Sequence, residues 1–301
     1  MASSKPAIYS ALIANLIIAV TKFIAAAITG SSAMVSEGIH SVVDTTNEIL
    51  LLVGIRQAAK PPDVERPFGY GKELYFWSFI VSILIFSVGG GISFYEGFTH
   101  LQHPEMIKDP FWSYIVLGIA FVSDGISFII ALKNFNRHRG DKPFWSSVKK
   151  SKDPTSFVVL FEDAADVLGL LVAFIGVYLG HKLQNPYFDG FASIVIGLIL
   201  TAISIVLTKE SRSLLMGETA STKLIKEIVE ITESHEVIAS VHEHLSMVLG
   251  PSEILLILKL TVNQNIPSFK LMEVLNKIKG QVKKDHPQVK LLFIEPEIKT
   301  S

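Results

Sequence analysis

The chain has 301 residues, 49% of them hydrophobic, with a mean hydropathy of +0.44. That is high for a soluble protein and low for one lying wholly in a bilayer, so a membrane part and a soluble part are expected. A net charge of -1 gives no basic signature for nucleic acid, and the lack of cysteine excludes disulfides and thiolate metal sites.

Six apolar segments are predicted to span the membrane: residues 7–29, 33–59, 74–100, 111–134, 157–181 and 187–208. Each is near or above the roughly 20 residues that a spanning helix needs. The first follows a single lysine and lacks a small-residue cleavage site, so no cleavable signal peptide is expected. The second carries Glu37, His40, Asp44, Asn47 and Glu48. At helical spacing these fall within an arc of roughly 100°. The loop after it holds Arg56, Lys60, Arg66 and Lys72. In the third segment, Gly89-Gly90-Gly91 is read as a packing or kink feature. The fourth carries Asp124, which is expected to pair with Lys22 of the first.

The connection to the fifth segment is strongly basic, with Lys133, Arg137, Arg139, Lys142, Lys149, Lys150 and Lys152. The loops on the other side hold only Lys108 and Lys182. This positive-inside bias places both chain ends in the cytoplasm. The fifth segment carries Glu162, Asp163 and Asp166, with Gly169, Ala173 and Gly176 on the face of Glu162 and Asp166. Small residues let helices approach closely in lipid, which would bring this face toward that of His40.

The tail is predicted as a helix over 222–234, strands over 237–249 and 253–262, a helix starting at Pro267-Ser268 with Ser268 as its cap, and a strand over 289–294. The order α-β-β-α-β suggests a small α+β, ferredoxin-like domain. The expected organisation is a six-helix transmembrane transport domain (1–208), a linker (209–217) and a cytoplasmic domain (218–301).

A carboxylate at the bilayer centre costs about 2.5–3.5 kcal/mol on insertion scales, so intramembrane acids are functional candidates. His40 and Asp44 form one i, i+4 pair and Glu162 and Asp166 another. Facing each other, these four groups would bind a divalent metal. Tetrahedral N/O coordination suits Zn²⁺, while carboxylate-rich sites also suit Mn²⁺ or Fe²⁺. The ligands must be deprotonated to bind, so metal and protons compete and their exchange is a natural transport cycle. Asp163 lies about 100° from Glu162 and is a candidate to support or replace it. Glu37, Asn47 and Glu48 either line an access path or hydrogen-bond to neighbours. No Walker loop, GxSxG motif or nucleophile–base pair is present, so neither an enzyme nor ATP coupling is indicated, and no organic cofactor is expected.

The stretches SEGIHSVVDTTNE, FEDAADVLGLL and PFGYGK resemble the cation diffusion facilitator family, and SEGIHS, LFEDAAD and HLSMVLGP resemble its zinc transporter nine-like subgroup. The resemblance implies a homodimer that exports divalent cations (zinc first, with Mn²⁺, Fe²⁺, Co²⁺ and Cd²⁺ as alternatives) by alternating access in exchange for protons. It carries the transport ligands onto His40, Asp44, Glu162 and Asp166. Glu162 departs from the pattern, since zinc-exporting members commonly have His there. Asp63, Arg66 and Tyr70 stand where some members bind metal in a loop, and no metal is predicted there. In the tail His242, His244 and Glu295 are candidates for a weak site, whereas Leu258 and Phe293 replace other ligands. The expected setting is a bacterial inner membrane. Competing readings are a membrane metal sensor or scaffold with a regulatory intramembrane site, and a metal-selective channel.

Overall fold

The computed structural model describes residues 5–263 and 266–298, without the side chains of residues 5–14, 138 and 298. The described residues form two compact units. The first, residues 1–55 and 76–211 in chain terms, holds the long helices. They are α1 (Lys5–Thr29), α2 (Ser32–Ala58), α3 (Glu73–Leu84) running through a π-helical turn (Ile85–Gly90) into α4 (Gly91–Gln102), α5 (Pro110–Arg139), α7 (Pro154–Lys182) and α8 (Tyr187–Met216). A short helix, α6 (Phe144–Lys150), interrupts the basic connection that the sequence reading left without structure. Among the described residues, three stretches are long and apolar enough to cross a membrane: Glu73–Gln102, Pro110–Arg137 and Tyr187–Met216. The stretch of α1 whose side chains are described, Asn15–Thr29, is also apolar, and α2 and α7 carry the acidic residues.

Local chemistry sets the helix starts. Asp109 and Asp153 each sit at an N-cap followed by proline at the first helical position. Asp109 accepts from the Phe111 amide at 3.1 Å and Asp153 from the Thr155 amide at 3.1 Å. Such caps satisfy an amide that the helix itself leaves open. They start α5 and α7 one and three residues ahead of the apolar runs at 111 and 157.

The triple glycine of the third segment serves packing. A Cβ at Gly90 would stand 2.7 Å from Thr201 Oγ1, and one at Gly97 would stand 2.6 Å from the Gly190 carbonyl. Gly197 is as tightly placed against Phe94. The backbones of α4 and α8 therefore touch, as small residues permit in lipid.

The second unit comprises residues 56–75 and 212–301. Its element order is α9 (Thr222–Glu233), β1 (Ile238–Gly250), β2 (Glu253–Val262), α10 (Ser268–Asp285) and β3 (Val289–Ile298). The sheet order is β1-β2-β3, with β1 and β2 antiparallel and β2 and β3 parallel. Leu256, Leu258 and Leu260 of β2 pack against Ile225 and Ile228 of α9 and Leu275, Ile278 and Val282 of α10. The helical period of those apolar positions is what buries them on one face. Ser221 caps α9 by accepting from the Leu224 amide. Ser268 is not a cap: it is the first helical residue, and Pro267 precedes it with no side-chain hydrogen bond. Residues 209–216, expected as linker, continue α8.

The loop between α2 and α3 is fastened by its own polar groups. Asp63 accepts from the Arg66 amide at 2.8 Å and from the Tyr70 hydroxyl at 2.5 Å, one bond to each carboxylate oxygen. The Tyr70 hydroxyl holds the Asp63 carboxyl below its usual range. The Arg66 guanidinium lies 4.6 Å from the Tyr70 ring centre and pairs with Glu73.

Candidate metal centre

The helix α2 carries its polar stripe on a buried face: Glu37 and Asn47 are fully buried and His40 is 1% exposed. His40 Nε2 lies 3.4 Å from Asp44 Oδ1, and His40 Nδ1 lies 3.3 Å from Asp166 Oδ1 on α7. One ligand atom from each of His40, Asp44 and Asp166 falls within 4.8 Å of the others. Bonds of 2.0–2.2 Å place tetrahedral ligand atoms about 3.4 Å apart, so the spacing suits one ion. His40 Nδ1 and Asp44 Oδ1 are buried without a hydrogen-bond partner. Such orphaned atoms cost free energy unless a ligand meets them. The imidazole lies between the two carboxylates, with a different nitrogen toward each.

The fourth expected ligand stands apart from this triad. Glu162 Oε1 accepts from Asn47 Nδ2 at 2.8 Å. It nevertheless lines the same cavity, of about 110 Å³, as Asp44 and Asp166. Asn15, Glu48, Asp124 and Asp163 also line it, together with three serines. Asp163 accepts from Ser127 at 3.0 Å and Glu48 from Asn15 at 2.9 Å. Spacing along the helix therefore placed these acids on the right face, and the partner helices decided which of them are held by hydrogen bonds.

One expected pairing is different. Lys22 is fully buried, but its Nζ lies 3.1 Å from Glu37 Oε2 and 2.8 Å from Ser41 Oγ rather than being paired with Asp124. Lys22 and Glu37 thus form a buried ion pair one helical turn from His40. Gly169 on α7 makes room for it, because a Cβ there would stand 2.5 Å from Glu37 Oε1. Gly176 instead lets α7 meet α8, where its Cβ would stand 2.4 Å from that of Ala192. Of the three small residues, Gly169 is the one that brings α7 onto the α2 stripe.

Asp189, which the sequence reading did not single out, is fully buried in the first turn of α8. It accepts from Ser31 Oγ at 2.6 Å, from the Ser32 amide at 2.5 Å and from Ser32 Oγ at 3.0 Å. A carboxylate at a helix N-terminus satisfies open amides and the positive end of the helix dipole. It anchors the start of α2, and so the height of the ligand stripe. The available signal was an acid in the first turn of a long apolar segment, as costly in lipid as those of the stripe.

In the second unit, His242 Nε2 lies 3.5 Å from Glu297 Oε2, and both side chains are exposed. A bulge between Val241 and Glu243 interrupts the β1–β2 register at this point. His244 lines a separate hollow with Ile225 and Leu255. The two histidines expected on one strand face are therefore not brought to one site.

A family profile described as the cation efflux transmembrane domain matches residues 8–216. This chain belongs to the cation diffusion facilitator family. The family is one of membrane transporters and not of enzymes, and the chain is an integral membrane protein of zinc transporter nine-like type. It is 34% identical over 235 residues to the proton-coupled zinc antiporter SLC30A9, mitochondrial, of Xenopus laevis, covering 77% of this chain and 42% of that protein. The Homo sapiens protein of the same name is 33% identical over 231 residues, with 76% and 41% covered. The manganese efflux system protein MneP of Bacillus subtilis is 29% identical over 224 residues, with 72% and 70% covered. The chain thus spans about two fifths of the length of the animal relatives.

Proposed function

We propose that this cation diffusion facilitator exports a divalent metal in exchange for protons, with His40, Asp44 and Asp166 binding the ion and Glu162 joining them during transport. The observation that carries the reading is the triad on α2 and α7, with two orphaned ligand atoms beside a polar cavity between long helices. Zinc fits one imidazole and two or three carboxylates, and Mn²⁺ fits the oxygen-rich version. The relatives span the same choice by name, a zinc antiporter and a manganese efflux protein. Protons compete for the same atoms as the metal, which supplies coupling without a separate proton path.

The same reading takes all six long helices as spans, counting α3, the π-turn and α4 as one. The acids of α2 and α7 face one another and the cavity instead of lipid, which lowers the cost of inserting those helices. The positive-inside bias supports cytoplasmic ends, and we place the protein in a bacterial inner membrane. The α-β-β-α-β tail is read as ferredoxin-like, and the exposed Leu245 and Met247 on β1 support its pairing with a second copy.

Calorimetric titration of the solubilised chain tests the site. Wild-type protein should bind Zn²⁺ with an affinity that weakens as pH falls, since the ligands must lose protons. Pairwise loss of His40 and Asp166 should abolish the binding, and unchanged binding would remove these residues from the site. Glu162→His should raise the preference for Zn²⁺ over Mn²⁺ by roughly tenfold or more, because imidazole suits zinc better than manganese. Relative transport rates of the two metals measure this, and an unchanged ratio would leave Glu162 without a part in selectivity.

A further inference from the structure

The basic connection between α5 and α7 holds a hollow that metal transport does not use. Its volume is about 260 Å³, and Arg139, Lys142, Lys150, Ser147 and Ser156 line it. Arg139 is the last residue of α5, so the hollow opens at the end of a helix long and apolar enough to cross the bilayer. Lys142 and Lys150 are exposed. Arg139 donates through Nη1 to the Lys142 carbonyl at 3.2 Å, yet its Nε is buried with no acceptor. Asp153 also reaches the hollow, but its carboxylate is taken up by the Thr155 amide and hydroxyl and by Ser156 Oγ. Three cations therefore line an opening whose one carboxylate is already engaged.

The flanking helix α6 is built for a membrane surface. Phe144 packs against Phe135 with ring centres 5.2 Å apart, and Trp145 stacks on Phe161 at 5.9 Å. Trp145 is still 55% exposed, while Lys149 and Lys150 close the same helix. Tryptophan beside lysine is the pattern of the lipid headgroup layer, where a ring has one apolar and one wet side.

We propose that this hollow binds the phosphate headgroup of an anionic phospholipid, with Arg139, Lys142 and Lys150 as its cationic contacts and Trp145 against the adjoining acyl chains. Charge-assisted contacts of this kind favour an anionic over a zwitterionic headgroup. The site rests on the chain being a membrane protein and stands whether or not the metal cycle above is right.

The test is native mass spectrometry of the full chain, delipidated and offered phosphatidylglycerol or phosphatidylcholine of the same acyl chains. Wild type should retain phosphatidylglycerol in strong preference. Each cation near an anionic surface contributes roughly fivefold, so Arg139→Gln/Lys142→Gln/Lys150→Gln should lower the preference by about a hundredfold. Lys150→Gln alone, at an exposed position, should lower it about fivefold and covers the case in which the triple variant does not fold. Lys283→Gln/Lys284→Gln, which removes two tail charges, should change nothing. The proposal is overturned if wild type shows no preference, if the hollow variants keep it, or if the tail variant loses it equally. Displacement of the lipid by millimolar inorganic phosphate would also overturn it, in favour of a site for free phosphate.

Discussion

Asp44→Ala is expected to abolish metal transport, by about two orders of magnitude or more, while leaving the fold in place. Loss of an outer partner of a metal ligand commonly costs 10–100-fold in affinity or activity, and loss of a direct ligand costs at least as much. Asp44 is central to the triad: it contacts His40 at 3.4 Å and shares the cavity with Asp166 and Glu162. Its Oδ1 has no hydrogen-bond partner to lose. Removing it also relieves the crowding of six acids around one cavity. The variant should therefore unfold at a temperature equal to or above that of wild type. Transport at the wild-type rate would show that the triad is not the transport site.

Lys22→Met is expected to act in the opposite way, on the fold first. Both members of the Lys22–Glu37 pair are fully buried. Removing one partner of a buried pair strands the other charge and costs about 3–5 kcal/mol. Lys22 also donates to Ser41, on the turn that carries Asp44. Replacing Glu37 as well should recover most of the loss, since a buried pair exchanged as a whole for apolar groups is often neutral. Thermal or denaturant unfolding of Lys22→Met, Glu37→Met and the double variant measures this as a cycle. A Lys22→Met protein as stable as wild type would mean that the pair contributes only its local geometry. Recovery of stability in the double variant without recovery of transport would assign the pair a second part, in setting the charge beside the ions.

The extent to which the sequence foretold this arrangement follows from what periodicity can encode. A repeat of 3.6 residues assigns a side chain to a face, so the stripe on α2, the acids of α7 and the buried sides of α9 and α10 were all legible. Asp-Pro at 109–110 and 153–154 marks helix starts by local chemistry, although the apolar runs alone placed them one to three residues late. A face does not name a partner. The cost of burying charge called for a partner to Lys22 and was met on paper by Asp124, whereas the structure pairs Lys22 with Glu37. Glu162 has the right spacing to Asp166 for a ligand pair, yet a hydrogen bond from Asn47 draws it aside. Asp189 was passed over because the stripe rule looks for repeated acids on one helix, whereas its role is to cap another helix 157 residues away in sequence. The turn around Ser268 shows the converse, since a serine after proline satisfies the capping pattern without making the bond. The short helix α6 lies in a charged connection, where composition hid seven helical residues whose Phe144 and Trp145 pack on Phe135 and Phe161.

The measurement that tests the central claim most directly is uptake of Zn²⁺ and Mn²⁺ into proteoliposomes, with and without a pH gradient, for wild type and Asp44→Ala. Metal/proton exchange through the His40–Asp44–Asp166 site predicts saturable uptake of at least one of these metals, driven by the gradient, accompanied by proton movement in the opposite direction and lost in the variant. Folded, correctly inserted protein that moves neither metal, or moves it at a rate indifferent to the gradient, would contradict the account.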